Sequence, residues 1–166
     1  MKKSIAILAV AILSLVLVQS TFAQATANQT VSLAVSAVYK IAVSGNPGAM
    51  TINNGTAGTN ALTSVTDAST NYSITQNFAS TVKVTANLDA VMPAGYTLQM
   101  GLASTKGTSA GLVDISATTP GGAVNVVSAI ALGADASQAI TYSFGANASA
   151  GMLASTNKVV TLTLTN

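Results

Sequence analysis

Apolar and polar residues alternate most regularly in residues 29–44. The residues on one face of this stretch are Val31, Leu33, Val35, Ala37, Tyr39, Ile41 and Val43. Because residues two apart share a face of an extended chain, these side chains lie together, opposite a face rich in Thr, Ser and Ala. The pattern predicts a strand over residues 29–44, although an ordinary strand has about five or six residues. Such a strand is either shared between two sheets or longer than the domain that holds it.

Further segments with the same alternation follow at intervals of roughly ten residues. The predicted strands lie at residues 62–66, 71–75, 81–88, 96–102, 112–116, 124–130, 138–146 and 158–165. Turns rich in Gly, Pro and Asn separate several of them, and no convincing helical period occurs after Val18. Val126 and Val127 stand side by side, which predicts a bulge or burial on both faces. Seven to nine strands of this kind indicate an all-β fold, an antiparallel β-sandwich or barrel.

The first residues have the pattern of a targeting segment. Lys2 and Lys3 precede an apolar run over residues 5–18, and Thr21-Phe22-Ala23 is a small-residue cleavage site. We expect a signal peptide over residues 1–23, cleaved after Ala23 or, as the alternative, after Ala25. The apolar run of 14 residues is shorter than the roughly 20 of a membrane span. The remaining residues 24–166 are expected to form one domain without a membrane span, secreted or held at the outer surface of a bacterial cell.

Charge and cysteine content narrow the choice of partners. In residues 24–166 four Lys balance four Asp, so no basic patch favours nucleic acid or an anionic membrane. The chain has no Cys, so stability must come from packing, backbone pairing or assembly. A sequence of low charge and high β-propensity also favours self-association.

The residue types needed for most catalytic centres are missing. Residues 24–166 contain no His, Cys, Glu, Arg or Trp, which excludes the Ser-His-Asp triad, His- and Cys-based zinc sites and Glu pairs. A Ser-Lys dyad or an Asp pair remains conceivable, but the Lys residues are flanked by Thr, Ser and Asn, as solvated lysines are. A calcium site that includes Asp67 and Asp114 stays open as an alternative. We expect no enzyme and no cofactor.

Most of the aromatic residues are predicted to belong to the core. Tyr72 alternates with Ile74, and the others share the face of the aliphatic residues in their strands; these are Tyr39, Tyr96, Tyr142 and Phe144. Phe78 lies in a polar loop and is expected to be exposed. A carbohydrate-binding module would instead present exposed aromatics, usually including Trp.

The combination of signal peptide, short Thr-, Ser- and Val-rich strands, low charge and a final strand ending in Val159-Val160-Thr161-Leu162-Thr163-Leu164-Thr165 resembles subunits of bacterial pili and fimbriae. The resemblance implies an immunoglobulin-like β-sandwich that is incomplete until the N-terminal strand of another subunit is added. It makes residues 28–37 a donor strand, with Val31, Leu33, Val35 and Ala37 at the subunit interface.

We therefore expect a structural subunit of an extracellular filament or matrix that self-assembles into a homopolymer. The alternative is a monomeric secreted adhesion or carbohydrate-binding domain, with a carbohydrate or a host or cell-surface ligand. The long strand also has an alternative. It could bend near Ser36-Ala37 and cross between the two sheets of its own sandwich.

Overall fold

The computed structural model describes residues 25–166, so the predicted signal peptide and its cleavage after Ala23 lie outside the described residues. The chain divides into an N-terminal unit that ends at Val35 and a compact unit over residues 36–166. Residues 25–35 are exposed and belong to no strand or helix. The compact unit therefore begins at Ser36, twelve residues after the start of the domain expected over residues 24–166.

The compact unit is all-β, as predicted, with nine strands among the residues described. The strands are β1 (Tyr39–Val43), β2 (Val65–Gln76), β3 (Val82–Leu88), β4 (Tyr96–Leu102), β5 (Thr108–Ser109), β6 (Val113–Asp114), β7 (Val124–Ile130), β8 (Gly133–Ala146) and β9 (Val160–Thr165). A single 3₁₀ turn, Ala148–Ala150, follows β8. In the part of the chain that the structure describes, no helix is long and apolar enough to cross a bilayer.

The strands form two antiparallel sheets. One has the order β1-β2-β8-β4-β6, and the other has the order β5-β7-β3-β9. The alternating apolar residues of both sheets meet in one core, which includes Ile74, Leu88, Met100, Val126 and Ile140, each at most 2% exposed. The two antiparallel sheets and their shared core confirm the predicted β-sandwich architecture.

The bulge predicted at Val126-Val127 is present. Val84 pairs with Val127 and the next residue, Thr85, pairs with Asn125, so Val126 is the extra residue on β7. Both valines are completely buried. The extra residue lets two neighbouring side chains of one strand reach the core, which strict alternation would prevent.

The long first strand differs most from its prediction. The strand expected over residues 29–44 is in the structure the five-residue strand β1, Tyr39–Val43, which pairs with β2. Residues 29–38 form no ladder with another strand in the single chain. Their alternation is nevertheless that of a strand, and a strand needs a neighbouring edge to supply backbone hydrogen bonds.

Candidate strand-binding groove

The residues before the compact unit carry large apolar side chains in contact with solvent. Val31 is 71% exposed, Leu33 is 89% exposed and Val35 is 87% exposed. Ala37, the fourth predicted interface residue, is also exposed. Isolated apolar side chains on a surface are ordinary, but a regular row of them, two residues apart, is the pattern of a strand with one buried face.

A large groove opens in the compact unit, with a volume of about 1350 Å³. One wall is formed by the end of β1 and the following residues 45–52, and the other by residues 151–162, which include the start of β9. Between the walls lie large apolar side chains of β4, β8 and the loop before β4. These are Met92, Tyr96, Leu98, Ile140, Tyr142 and Phe144.

The groove has almost no charge. Among the described residues that line it, Lys158 is the one with a formal charge, and its Nζ donates a hydrogen bond to the carbonyl oxygen of Val91 at 2.9 Å. Tyr142 is 7% exposed, and burial, together with the negative charge of Asp67, raises the pKa of its hydroxyl. The tyrosine therefore stays neutral, and the groove is suited to an apolar occupant.

Local hydrogen bonds and packing hold the shape of the groove. The carboxylate of Asp67 accepts the N–H of Gly48 at 3.2 Å, which ties the wall after β1 to β2. Hydrogen bonds from the side chain and backbone of Ser69, with that from Gly48, lower the pKa of Asp67, so the tie is made by a charged acceptor near neutral pH. Between the walls the rings of Tyr96 and Phe144 stack with centroids 6.4 Å apart.

Strand β9 presents an unpaired backbone edge at the groove. The N–H of Val159 donates to Asp89 Oδ1 and its carbonyl oxygen accepts the N–H of Asp89, so both groups of Val159 face β3. Orientation alternates along a strand, so the backbone groups of Val160, Leu162 and Leu164 face the other way. β9 has β3 as its single neighbour in the sheet, and within residues 25–166 these outward groups have no ladder partner.

The same three residues turn their side chains toward the core. Val160, Leu162 and Leu164 are partly buried against it, while Thr161 and Thr163 are exposed on the opposite face. A strand added at this edge would therefore have its apolar face over the core and its polar face beside the threonines.

Strand β1 provides the second open edge. The N–H of Ser44 donates to the carbonyl oxygen of Asn71 in β2 at 2.8 Å, so the backbone groups of Tyr39, Ile41 and Val43 face away from β2. β1 is the edge strand of its sheet. Its end and the start of β9 both line the groove, so two strand edges without a further ladder partner in residues 25–166 border the opening.

A cluster of polar side chains surrounds Asp135, which is 2% exposed. Its carboxylate accepts hydrogen bonds from the Ser104 hydroxyl at 2.6 Å and from the hydroxyl and N–H of Thr105 at 2.7 and 3.0 Å. Burial by itself would raise the pKa of Asp135, but these bonds outweigh it and lower the pKa. The carboxylate is saturated by donors of the loop after β4, so the cluster holds that loop in place.

The residues considered for calcium are not brought together. Asp67 lies in β2 and Asp114 in β6, and two strands of the same sheet, β8 and β4, separate them. Each carboxylate accepts the N–H of a residue two positions later, Ser69 and Ser116 respectively. Across residues 25–166, no three acidic side chains converge.

The aromatic residues differ in burial. Tyr72, Tyr96 and Tyr142 are buried, as predicted from the alternation. Phe78 is not fully exposed, contrary to prediction, because its ring packs on Tyr39 with centroids 5.4 Å apart. The sequence around Phe78 is polar and does not predict this contact. The contact forms because the β2–β3 turn lies beside the start of β1.

The groove itself was not predicted, because its walls are two long connections without strand pattern. Residues 44–64 and 147–159 join β1 to β2 and β8 to β9. A possible signal was the row of apolar residues in these connections, Met50, Ile52, Met152 and Leu153, which line the groove.

Comparison with known proteins gives no match: no family model, no curated protein and no solved structure is similar to this chain. The N-terminal apolar row and the groove are therefore the features from which a function can be inferred.

Proposed function

We propose that this protein is a structural subunit of an extracellular bacterial filament or matrix, and that subunits are joined by β-strand addition. Residues 28–37 of one copy enter the groove of the next copy and pair with its open strand edge. The exposed row of Val31, Leu33 and Val35 becomes buried against the apolar residues of the groove. Export, expected from the first 23 residues, brings the subunit to the compartment where such a filament is built.

The observation that carries the proposal is that one chain contains both an exposed row of alternating apolar residues and a sheet edge without a ladder partner among the described residues. Side chains two residues apart in a strand are about 6.6–6.8 Å from one another. Val31, Leu33 and Val35 therefore have the spacing of Val160, Leu162 and Leu164 on β9, whose outward backbone groups offer a ladder. When the apolar row faces the core, the polar residues Thr30, Ser32 and Ser36 continue the threonine face of β9. This is how an extended segment adds to a sheet edge.

The chemistry of the groove favours this occupant over a sugar. Carbohydrate recognition needs polar groups that converge on hydroxyls. The large side chains of β4 and β8 in the groove are apolar or aromatic, and the charged residue of the described lining, Lys158, is engaged with the carbonyl oxygen of Val91. A strand with one apolar face suits the groove in two ways. Its apolar side chains cover the apolar residues of the groove, and its backbone pairs with the open strand edge.

The test uses the chain that begins at Ser36, the first residue of the compact unit. We expect electron microscopy of the full mature protein to show fibres, and this shortened protein to form none. A synthetic peptide of residues 28–37 is expected to bind the shortened protein with one-to-one stoichiometry and to raise its melting temperature.

The matched control is a peptide of the same composition in which each apolar residue is exchanged with its polar neighbour, because a shift of one residue turns the polar face inward. Fibres formed by the shortened protein, or a full-length protein that stays monomeric at high concentration, would refute the proposal. Equal binding of the two peptides would refute the role of the apolar row.

A further inference from the structure

The residues that lead into β1 are held by the side chain of Asn77, at the turn between β2 and β3. The N–H of Val38 donates to Asn77 Oδ1 at 2.7 Å, and Asn77 Nδ2 donates to the carbonyl oxygen of Ser36 at 2.9 Å. The N–H of Asn77 also donates to the carbonyl oxygen of Val38 at 3.3 Å. The side-chain amide of Asn77 thus occupies the place that a further peptide group of β2 would have.

These bonds keep residues 36–38 extended. The carbonyl of Ser36 and the N–H of Val38 face the same amide, as groups two residues apart do in a strand. Phe78, the residue after Asn77, packs on Tyr39 at the start of β1. Side-chain contacts of the β2–β3 turn therefore continue the line of β1 back to Ser36.

A copy could in principle fill its own groove by folding residues 28–35 back along the open edge of β1. Directly opposite residues of antiparallel strands share a face. To place the apolar row on the inner face, Val35 must lie opposite Tyr39 and Leu33 opposite Ile41. Residues 36–38 then form a three-residue loop. A shift by one residue would turn the polar row inward, so this is the shortest loop that places the apolar row on the inner face.

Asn77 opposes that loop directly. Three-residue hairpin loops end in a residue with a left-handed backbone, which a β-branched residue such as Val38 adopts only with strain. The loop also requires Ser36 and Val38 to leave the extended geometry in which Asn77 binds them. Folding back therefore costs both side-chain hydrogen bonds in addition to the strained residue.

We infer that Asn77 is a positioning residue that prevents a subunit from filling its own groove, so that residues 28–37 are delivered to a second copy. The inference rests on the proposed function, because it concerns the route by which the apolar row reaches a groove. A turn residue outside the groove would thus decide between a polymer and a closed monomer, in which residues 28–35 fill the groove of their own copy.

The test compares the full mature chain with its Asn77→Ala variant, by hydrogen exchange of residues 29–35 at low concentration and by fibre yield at high concentration. Loss of the two bonds is expected to shift the balance toward the closed monomer on the order of 10-fold. Exchange in residues 29–35 then slows and the fibre yield falls. The double variant Asn77→Ala/Val38→Gly is expected to shift it further, because glycine removes the strain at the last loop residue. Asn125→Ala, at an exposed asparagine of β7, is the matched control and is expected to behave as the parent protein.

Should Asn77→Ala fail to fold, Asn77→Asp keeps an acceptor for Val38, removes the donor to Ser36 and is expected to give a smaller shift of the same sign. Variants that assemble normally and whose residues 29–35 exchange at the parent rate would overturn the inference. Binding of the peptide 28–37 to the chain that begins at Ser36 is measured in parallel. If the peptide binds while the Asn77 variants assemble normally, only the role of Asn77 fails; if it does not bind, the proposed function itself fails.

Discussion

Replacing Leu33 by Ser separates assembly from folding. Leu33 is 89% exposed in the single chain, so its loss removes no contact of the folded subunit and should leave the melting temperature of the monomer unchanged. In the proposed filament the same side chain is buried, and burial of a Leu contributes about 1.5–3 kcal/mol. At about 1.4 kcal/mol for each factor of ten, Leu33→Ser should weaken each subunit contact roughly 10- to 150-fold.

The measurement is the critical concentration for fibre formation, obtained by sedimentation over a range of protein concentrations. It should rise for Leu33→Ser by the factor by which the contact weakens. Ser32→Ala, on the opposite face of the same segment, is the matched control and should change the critical concentration by about twofold or less. The reasoning is refuted if Leu33→Ser assembles at the parent concentration, or if both substitutions have the same effect.

Three further predictions concern the fold and export. Asp135→Asn should lower the free energy of unfolding by about 1–3 kcal/mol, because Ser104 and Thr105 lose a charged acceptor that is itself buried. The exposed Asp114→Asn should change it by less than about 0.5 kcal/mol. Because the fold lowers the pKa of Asp135, its contribution is present above the unfolded pKa of about 3.9 and is lost as pH falls through the folded pKa. Urea unfolding of the parent and of Asp135→Asn should therefore give free energies of unfolding that differ at pH 7 and lie closer together near pH 3. Gly107→Ala should destabilise the fold by about 1–3 kcal/mol, measured in the same way, because its new Cβ would lie 2.8 Å from the carbonyl oxygen of Ser128. Intact-mass measurement of exported protein should show a chain that begins at Gln24, and retention of the first residues would contradict this.

Alternation was a sound guide wherever a strand has a partner in the same chain. It predicted strands at residues 81–88, 96–102 and 124–130 that correspond to β3, β4 and β7. It also indicated the bulge at Val126, since two adjacent apolar residues in a strand both need burial. These features depend on neighbouring residues, which the sequence displays directly.

Features that depend on distant residues could not be read in this way. The pattern at residues 29–38 is that of a strand, but strand formation requires an edge, and β1 begins only at Tyr39. Two short predicted strands, residues 62–66 and 71–75, are joined in the 12-residue strand β2. β8 pairs along the length of β2, and a register shift between Asp67 and Thr70 accommodates the polar residues between the two predicted strands. The groove and the bonds of Asn77 to Ser36 and Val38 arise from contacts between residues far apart in sequence.

The central claim is tested most directly by cross-linking between two copies. The chain contains no Cys, so single cysteines can be placed without interference. One preparation carries Val31→Cys, Leu33→Cys or Val35→Cys, and the other carries Leu162→Cys on β9, at the groove. The two are mixed under assembly conditions, oxidised, and analysed by mass spectrometry of the disulfide-linked peptides. Strand addition predicts disulfides that join the N-terminal row of one copy to Leu162→Cys of another. Fibres in which none of the three positions joins Leu162→Cys would contradict it.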